Sequence, residues 1–224
     1  KAYGYADREN KIPNSVDTKF RIGSMNKMFT SVAIAQLVQA KKLKYTDTLA
    51  TVLPDYPNKE VATKVTIHQL LTHTSGLGDY FSDEFDKKKD NLRDLKDYLQ
   101  FFASEPLQFE PGKGWAYSNA GMLVAGLVIE KVSGKNYFEY VRKNIYKPAG
   151  MNDTDSFEKT KAQPNQSKGY MKMDGKWVSN YNDLPLMGSS AGGGDSTAPD
   201  LLRFDQALRD HKLVDVELTN LITT

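Results

Sequence analysis

Hydrophobic and polar positions alternate near the two ends of the chain and follow a helical period in between. The aromatic-rich opening at residues 2–6 and the alternating segment 19–22 each predict a short strand, with a turn at 10–14 between them. A long apolar run then begins at Gly23 and Ser24 and predicts a helix. Its apolar positions are spaced close to one helical face: Met28, Val32, Ala35, Leu37 and Val38.

The middle of the chain carries several further segments with a helical period. Residues 66–73 predict a short helix that ends near Gly76. A helical repeat follows at Leu92, Leu95, Leu99 and Phe102. Residues 119–132 are apolar on nearly every side, so we expect a buried helix, and Gly134 marks its end. One more helix is predicted over residues 137–146.

The pattern changes again in the last quarter of the chain. Residues 168–173 and 176–180 flank Asp174 and Gly175, and two alternating runs around Asp-Gly predict a β-hairpin. A final helix is predicted from Pro199 onwards. Strands at both ends and helices between them indicate an α+β fold into which a helical domain is inserted.

This order of elements predicts two domains. We place an α/β domain at residues 1–60 and 165–224, and a mainly helical domain at residues 61–164.

Composition excludes several classes of function. The 30 basic and 28 acidic side chains leave a net charge of +2, which provides no electrostatic basis for binding nucleic acid. The absence of cysteine excludes disulfides, thiolate metal sites and cysteine nucleophiles. No apolar run is long enough to span a bilayer, so we predict no transmembrane segment. The balanced charge leads us to predict no nucleic-acid partner.

The remaining metal and phosphate motifs are also missing. The three histidines, at 68, 73 and 211, show no metal-ligand spacing, and we expect a structural role for His73 near a helix C-terminus. Residues 192–194 are all glycine, but no lysine and hydroxyl pair follows at the spacing of a phosphate loop. We therefore predict no metal and no cofactor, and close backbone packing or mobility at the glycines.

Ser-x-x-Lys occurs twice, and only its context separates the two copies. Ser156 and Lys159 lie in a polar stretch that we interpret as a surface loop. Ser24 and Lys27 lie where a predicted strand meets a long helix, so the amine can reach the hydroxyl on the same helix face. A serine needs such a base to become a nucleophile, although a helix-capping serine beside an exposed lysine has the same letters.

Tyr-x-Asn also occurs twice. Tyr56 and Asn58 lie in a proline-containing turn. Tyr117 and Asn119 lie between a glycine-rich loop and the predicted buried helix, where the phenol suits proton transfer and the amide suits binding a substrate amide or Lys27. A helix cap with an aromatic neighbour is the alternative reading of this second copy.

Four segments together resemble the class C β-lactamase family, which includes D-alanyl-D-alanine carboxypeptidases, penicillin-binding proteins and esterases. They occur in family order and extend over nearly the whole chain. These segments are residues 20–27 (FRIGSMNK), 69–77 (QLLTHTSGL), 111–112 with 117–121 (PG and YSNAG), and 191–193 with 196–201 (AGG and STAPDL).

The resemblance implies a β-lactamase/transpeptidase-like fold, with an antiparallel sheet flanked by helices, and an acyl-enzyme mechanism without a cofactor. Ser24 would attack a carbonyl, Lys27 and Tyr117 would move the protons, and Asn119 would bind the substrate amide and the lysine. The expected substrates are a β-lactam, a D-alanyl peptide of peptidoglycan or a small ester. A bacterial envelope location, periplasmic or extracellular, is implied in the same way.

One departure from the family pattern concerns its third motif, a Lys or His followed by Thr, Ser or Gly and then Gly on a late strand. Residues 73–76 imitate its letters but precede the tyrosine motif, and nothing after Thr197 matches. We therefore expect that C-terminal strands are missing, and that a C-terminal segment or a second chain would complete the sheet. The alternative function is a catalytically silent penicillin-binding-like module that binds or regulates, or an incomplete fragment.

Overall fold

The computed structural model describes residues 1–223 as helices joined by loops, with a few short strands. The strands are β1 (Tyr5–Asp7), β2 (Ile12–Pro13), β3 (Phe20–Arg21), β4 (Tyr170–Met173), β5 (Lys176–Ser179) and β6 (Asp195–Ser196). The α-helices are α1 (Asn26–Gln39), α2 (Leu49–Val52), α3 (Lys59–Lys64), α4 (Ile67–Leu71), α5 (Asp83–Lys88), α6 (Asn119–Ser133), α7 (Tyr137–Val141), α8 (Lys147–Ala149), α9 (Ala198–Arg209) and α10 (Val216–Thr223).

The strands form three antiparallel pairs, β1 with β2, β3 with β6, and β4 with β5. The β4–β5 pair is the predicted hairpin, and its two turn residues Asp174 and Gly175 both have positive φ, as an Asp-Gly turn requires. The prediction of a turn at residues 10–14 is wrong in its position. Residues 12–13 form β2, and the turn lies just before them, where the Asp7 side chain accepts the Asn10 N–H.

Helix α1 packs against α6, α7 and α10. The prediction that α1 buries a single apolar face is therefore wrong, because neighbouring elements bury residues on most sides of the helix. Met28, which was assigned to that face, is 38% exposed, whereas Phe29 and Ile34 are fully buried. The ring of Phe29 lies nearly perpendicular to the rings of Tyr146 and Phe204, and these contacts join α1 to the hydrophobic core.

Helix α6 confirms the predicted buried helix. Ser118 caps its N-terminus by accepting the Gly121 N–H, and Gly134 ends it with φ of 67°. The helix predicted for residues 137–146 is longer, since α7 continues through a π turn at 142–146 into α8. The helical repeat at residues 92–102 is a 3₁₀ helix over residues 95–101.

The described residues combine helices with three separate antiparallel strand pairs, which agrees with the α+β class that the order of elements indicated. One core cluster contains side chains from both predicted domains, and the boundaries at residues 60 and 165 stay a prediction. None of the helices within residues 1–223 is both long and apolar enough to cross a membrane.

Candidate active site

Ser24 lies in the tight turn that joins β3 to α1. Residues 23–25 form one turn of 3₁₀ helix, and Gly23 has φ of 55°, a conformation that suits glycine. The predicted helix therefore begins two residues later, at Asn26, and Ser24 is exposed at its entrance.

Lys27 lies one turn further along and points back toward Ser24. Its Nζ is 3.1 Å from Ser24 Oγ and 2.8 Å from Asn119 Oδ1, and it also donates to the backbone oxygen of Ala191. These three acceptors match the three N–H donors of an ammonium group. The lysine is therefore held in one position by α1, α6 and the loop before β6.

Tyr117 reaches the same serine from the loop that precedes α6. Its hydroxyl lies 2.7 Å from Ser24 Oγ, and Lys27 Nζ lies 4.8 Å from the centre of its ring. Ser118 is the N-cap of α6, as the alternative interpretation of this motif proposed. The cap and the site coexist, because the cap fixes the backbone between Tyr117 and Asn119 while their side chains face the serine and the lysine.

Asn119 is held from its other side by Asp79. Asp79 Oδ2 accepts the Asn119 side-chain N–H at 2.8 Å. A carboxylate only accepts hydrogen bonds, so it orients the amide with its oxygen toward Lys27. Sequence reasoning missed Asp79, because no local motif marks an acidic residue 40 positions before Asn119.

Residues 189–194 form the wall behind the lysine. Gly193 N–H donates to Gly23 O at 3.0 Å, and a Cβ at Gly192 would lie 3.1 Å from that oxygen. The buried Asn26 side chain accepts from Gly194 N–H and donates to Ser189 O. The glycines thus serve close backbone packing, one of the two uses predicted for them.

His73 contacts Tyr117. The sequence predicted a structural role for His73 but not this contact. The two rings are 4.6 Å apart and tilted by 32°, and His73 Nδ1 accepts the Ser118 N–H at 3.2 Å. Burial, and then the nearby charge of Lys27, lower the pKa of His73. Its position in a Thr-His-Thr-Ser-Gly stretch that resembles a family motif was the available signal.

The structure therefore brings Ser24, Lys27, Tyr117 and Asn119 together, and leaves the other copies of both motifs elsewhere. Ser156 and the Lys159 side chain lie in a loop as predicted, but both are buried, so the surface assignment is wrong. The amine of Lys159 has partners for its charge and its N–H groups, since it lies 2.6 Å from Asp90 and donates to Leu184 O at 2.7 Å. Across residues 1–223 there is no cluster of three acidic or histidine side chains that could hold a metal.

Comparison with known proteins places this geometry in a family. The family model described as Beta-lactamase matches residues 1–222. The putative penicillin-binding protein PbpX of Bacillus subtilis (strain 168) is 34% identical over 95% of this chain and 52% of its own length. Esterase EstB of Burkholderia gladioli is 37% identical over 68% of this chain and 42% of its own length.

A solved structure, the penicillin binding protein from Bacillus halodurans, is 39% identical, with a TM-score of 0.91 over 100% of this chain and 69% of that one. The chain spans about half the length of the two curated relatives. The match to the family model extends over nearly the whole chain, and it includes the serine, lysine, tyrosine and asparagine that the fold assembles. The chain thus belongs to the beta-lactamase family.

Proposed function

We propose that this protein is a serine hydrolase that works through an acyl-enzyme on Ser24. The observation that carries the proposal is the position of Ser24 Oγ between the Tyr117 hydroxyl at 2.7 Å and Lys27 Nζ at 3.1 Å. A serine hydroxyl is a weak nucleophile until a neighbouring group takes its proton. Two groups that can exchange a proton with Ser24 lie within hydrogen-bond distance.

Acylation would proceed by attack of Ser24 Oγ on a carbonyl carbon. The serine proton passes to Lys27 or Tyr117 in its basic form, and the same pair returns a proton to the leaving amine or alcohol. The Ser24 N–H, in the first turn before α1, would form half of the oxyanion hole. Water then attacks the acyl carbon, and the released acid and free Ser24 complete the cycle.

Asn119 would orient both the lysine and the substrate. Its Oδ1 already accepts from Lys27, and Asp79 holds the amide from the other side. An amide fixed at both ends can present a hydrogen bond to the backbone of a peptide or lactam without first reorganising. This assigns Asn119 to substrate binding and Asp79 to positioning.

The substrates we propose are a β-lactam, a D-alanyl peptide or a small ester. The names of the relatives, penicillin-binding protein and esterase, support this range. The site opens to solvent, since Trp115 beside it is 67% exposed and Tyr117 45% exposed, so a ligand can approach Ser24 directly. We further propose an envelope location, outside the cytoplasmic membrane, and completion of the site by a C-terminal segment or a second chain.

The test is the Ser24→Ala variant, compared with Ser156→Ala in the other Ser-x-x-Lys copy. Each protein is incubated with penicillin, a D-alanyl-D-alanine peptide and p-nitrophenyl acetate, followed by intact-mass analysis and product assay. We expect an acyl adduct or turnover in the unmodified protein and in Ser156→Ala, and neither in Ser24→Ala. Turnover that survives the loss of Ser24 would show that the mechanism is wrong.

A further inference from the structure

The loop that carries Tyr117 is attached to a second loop, residues 73–78, that contributes nothing directly to Ser24. His73 O accepts the Ala116 N–H at 3.0 Å, and Gly76 O accepts the Gln108 N–H at 2.8 Å. The Ser118 hydroxyl donates to Gly78 O at 2.7 Å. The backbone on both sides of Tyr117 is therefore held by this second loop.

His73 supplies the contact to the tyrosine itself. It is one of the non-glycine residues with positive φ, 59°, a conformation that asparagine and histidine adopt more readily than most side chains. In this conformation the imidazole ring lies against the Tyr117 ring, tilted by 32°, and its Nδ1 accepts the N–H of the buried Ser118. The His73 side chain thus contacts the Tyr117 ring and also binds the backbone of the next residue, Ser118.

This arrangement requires a neutral imidazole. A neutral ring has one nitrogen without a proton, which can accept a hydrogen bond, whereas both nitrogens of a protonated ring are donors. Protonated His73 would turn an N–H toward the Ser118 N–H, which would lose its acceptor. The contact that holds Tyr117 therefore exists only in one protonation state.

Among the titratable groups around His73, the Lys27 amine is the one whose charge disfavours the charged imidazole. From α1 comes the Lys27 amine, and from the loop before α6 comes the Tyr117 phenol. Asp79, the residue that follows this loop, accepts a hydrogen bond from the Asn119 amide. Burial and the positive charge of Lys27 hold the pKa of His73 below its usual range.

We infer that His73 is a positioning residue: as a neutral imidazole it holds the Tyr117 hydroxyl at Ser24, and its protonation releases Tyr117 and slows acylation in acid. The inference rests on the proposed acyl transfer at Ser24. His73 acts through Tyr117 and touches neither the serine nor the substrate in this scheme.

The first experiment measures the acylation rate of Ser24 at about pH 7.5 and about pH 5 in three proteins. In the unmodified protein we expect a fall of roughly tenfold, because a displaced proton-transfer group slows the reaction. His73→Asn keeps an acceptor and tolerates positive φ but does not titrate, so its rate should change severalfold less. The matched control His68→Asn, an exposed residue of α4, should behave like the unmodified protein.

A His73→Phe variant separates the ring contact from the hydrogen bond. It keeps a ring against Tyr117 but offers the Ser118 N–H no acceptor, so we expect a lower kcat at both pH values with little change in KM. The same ratio of rates at the two pH values in His73→Asn and in the unmodified protein would overturn the inference.

A second measurement needs neither a variant nor activity. Nuclear magnetic resonance of the unmodified protein follows the His73 imidazole and the Tyr117 ring during an acid titration, and we expect one shared midpoint for both. If Ser24 is never acylated, the proposed function fails, yet this titration still decides the coupling. Tyr117 resonances that do not follow His73 would overturn the inference while leaving the proposed function standing.

Discussion

At the scale of single residues, the orientation of the site depends on groups that carry no catalytic chemistry of their own. Lys27 has three acceptors around its amine, of which one is a backbone oxygen and one is the Asn119 amide. That amide presents its oxygen to the lysine because Asp79 binds its N–H. A change at Asp79 is thus transmitted through Asn119 to Lys27.

Replacing Asp79 by alanine should lower the acylation rate about tenfold, because a hydrogen bond to a charged group typically contributes about 1.5–3 kcal/mol. The freed Asn119 amide can then rotate and turn a donor toward Lys27. The rate is measured under single-turnover conditions with a chromogenic ester or β-lactam. Asp55→Ala, which removes an exposed carboxylate outside the site, is the control, and equal rates in the two variants would contradict the argument.

At the scale of elements, α6 must come close to the loop that holds Lys27. Gly126 on α6 faces Ser190, and a Cβ there would lie 2.4 Å from Ser190 Oγ and 2.5 Å from a methyl carbon of Leu95. Both neighbours are buried, so they have little space to move. This close packing places Ala191, the next residue of the loop, against Lys27.

The two glycines of α6 should respond oppositely to alanine. At Gly121 an added Cβ makes only ordinary contacts, at 3.4 Å or more, so Gly121→Ala should be neutral or stabilising by up to about 1 kcal/mol through helix propensity. At Gly126 the same gain is outweighed by overpacking of about 1–3 kcal/mol. Urea unfolding measures both free energies, and equal stability of the two variants would refute the packing argument.

At the scale of the whole molecule, the β1–β2 pair at the N-terminus is bound to the segment that leads into the β4–β5 hairpin. Asp7 of β1 lies 2.8 Å from Lys168 Nζ, and its other oxygen accepts the Asn10 N–H. Lys168 N–H also donates to Ala6 O at 2.8 Å. The hydrogen bond from Lys168, followed by those from Asn10, holds the pKa of Asp7 far below its ordinary value of 3.8.

A carboxylate with a lowered pKa stabilises the fold above its unfolded pKa, and this contribution is lost as the pH falls below 3.8 toward the folded value. Asp7→Asn should therefore be less stable than the unmodified protein at neutral pH, and the gap should narrow in acid. Urea unfolding at about pH 7 and about pH 3 tests this. The exposed Asp17→Asn is the control, and a gap independent of pH would count against the role of Asp7.

Features that are local in the sequence were predictable where they are also local in space. Ser24 and Lys27 are one helical turn apart, and an Asp-Gly turn needs only its own φ angles, so spacing and residue type were sufficient there. The burial of Lys159 was missed because its partner Asp90 is 69 positions away. Asp79 and the contact of His73 with Tyr117 were missed because their partners also lie far away along the chain.

The sequence by itself determined the family and the four residues Ser24, Lys27, Tyr117 and Asn119 as candidates, because motifs in a fixed order carry that information. It also indicated the helices α1 and α6 and the β4–β5 hairpin. Only the tertiary structure decided that these residues meet. Tyr117 comes within 2.7 Å of Ser24 across 93 positions, through the packing of α1 against α6. Such distances depend on how elements far apart in the sequence pack against each other, and the hydrophobic pattern along the chain does not contain that information.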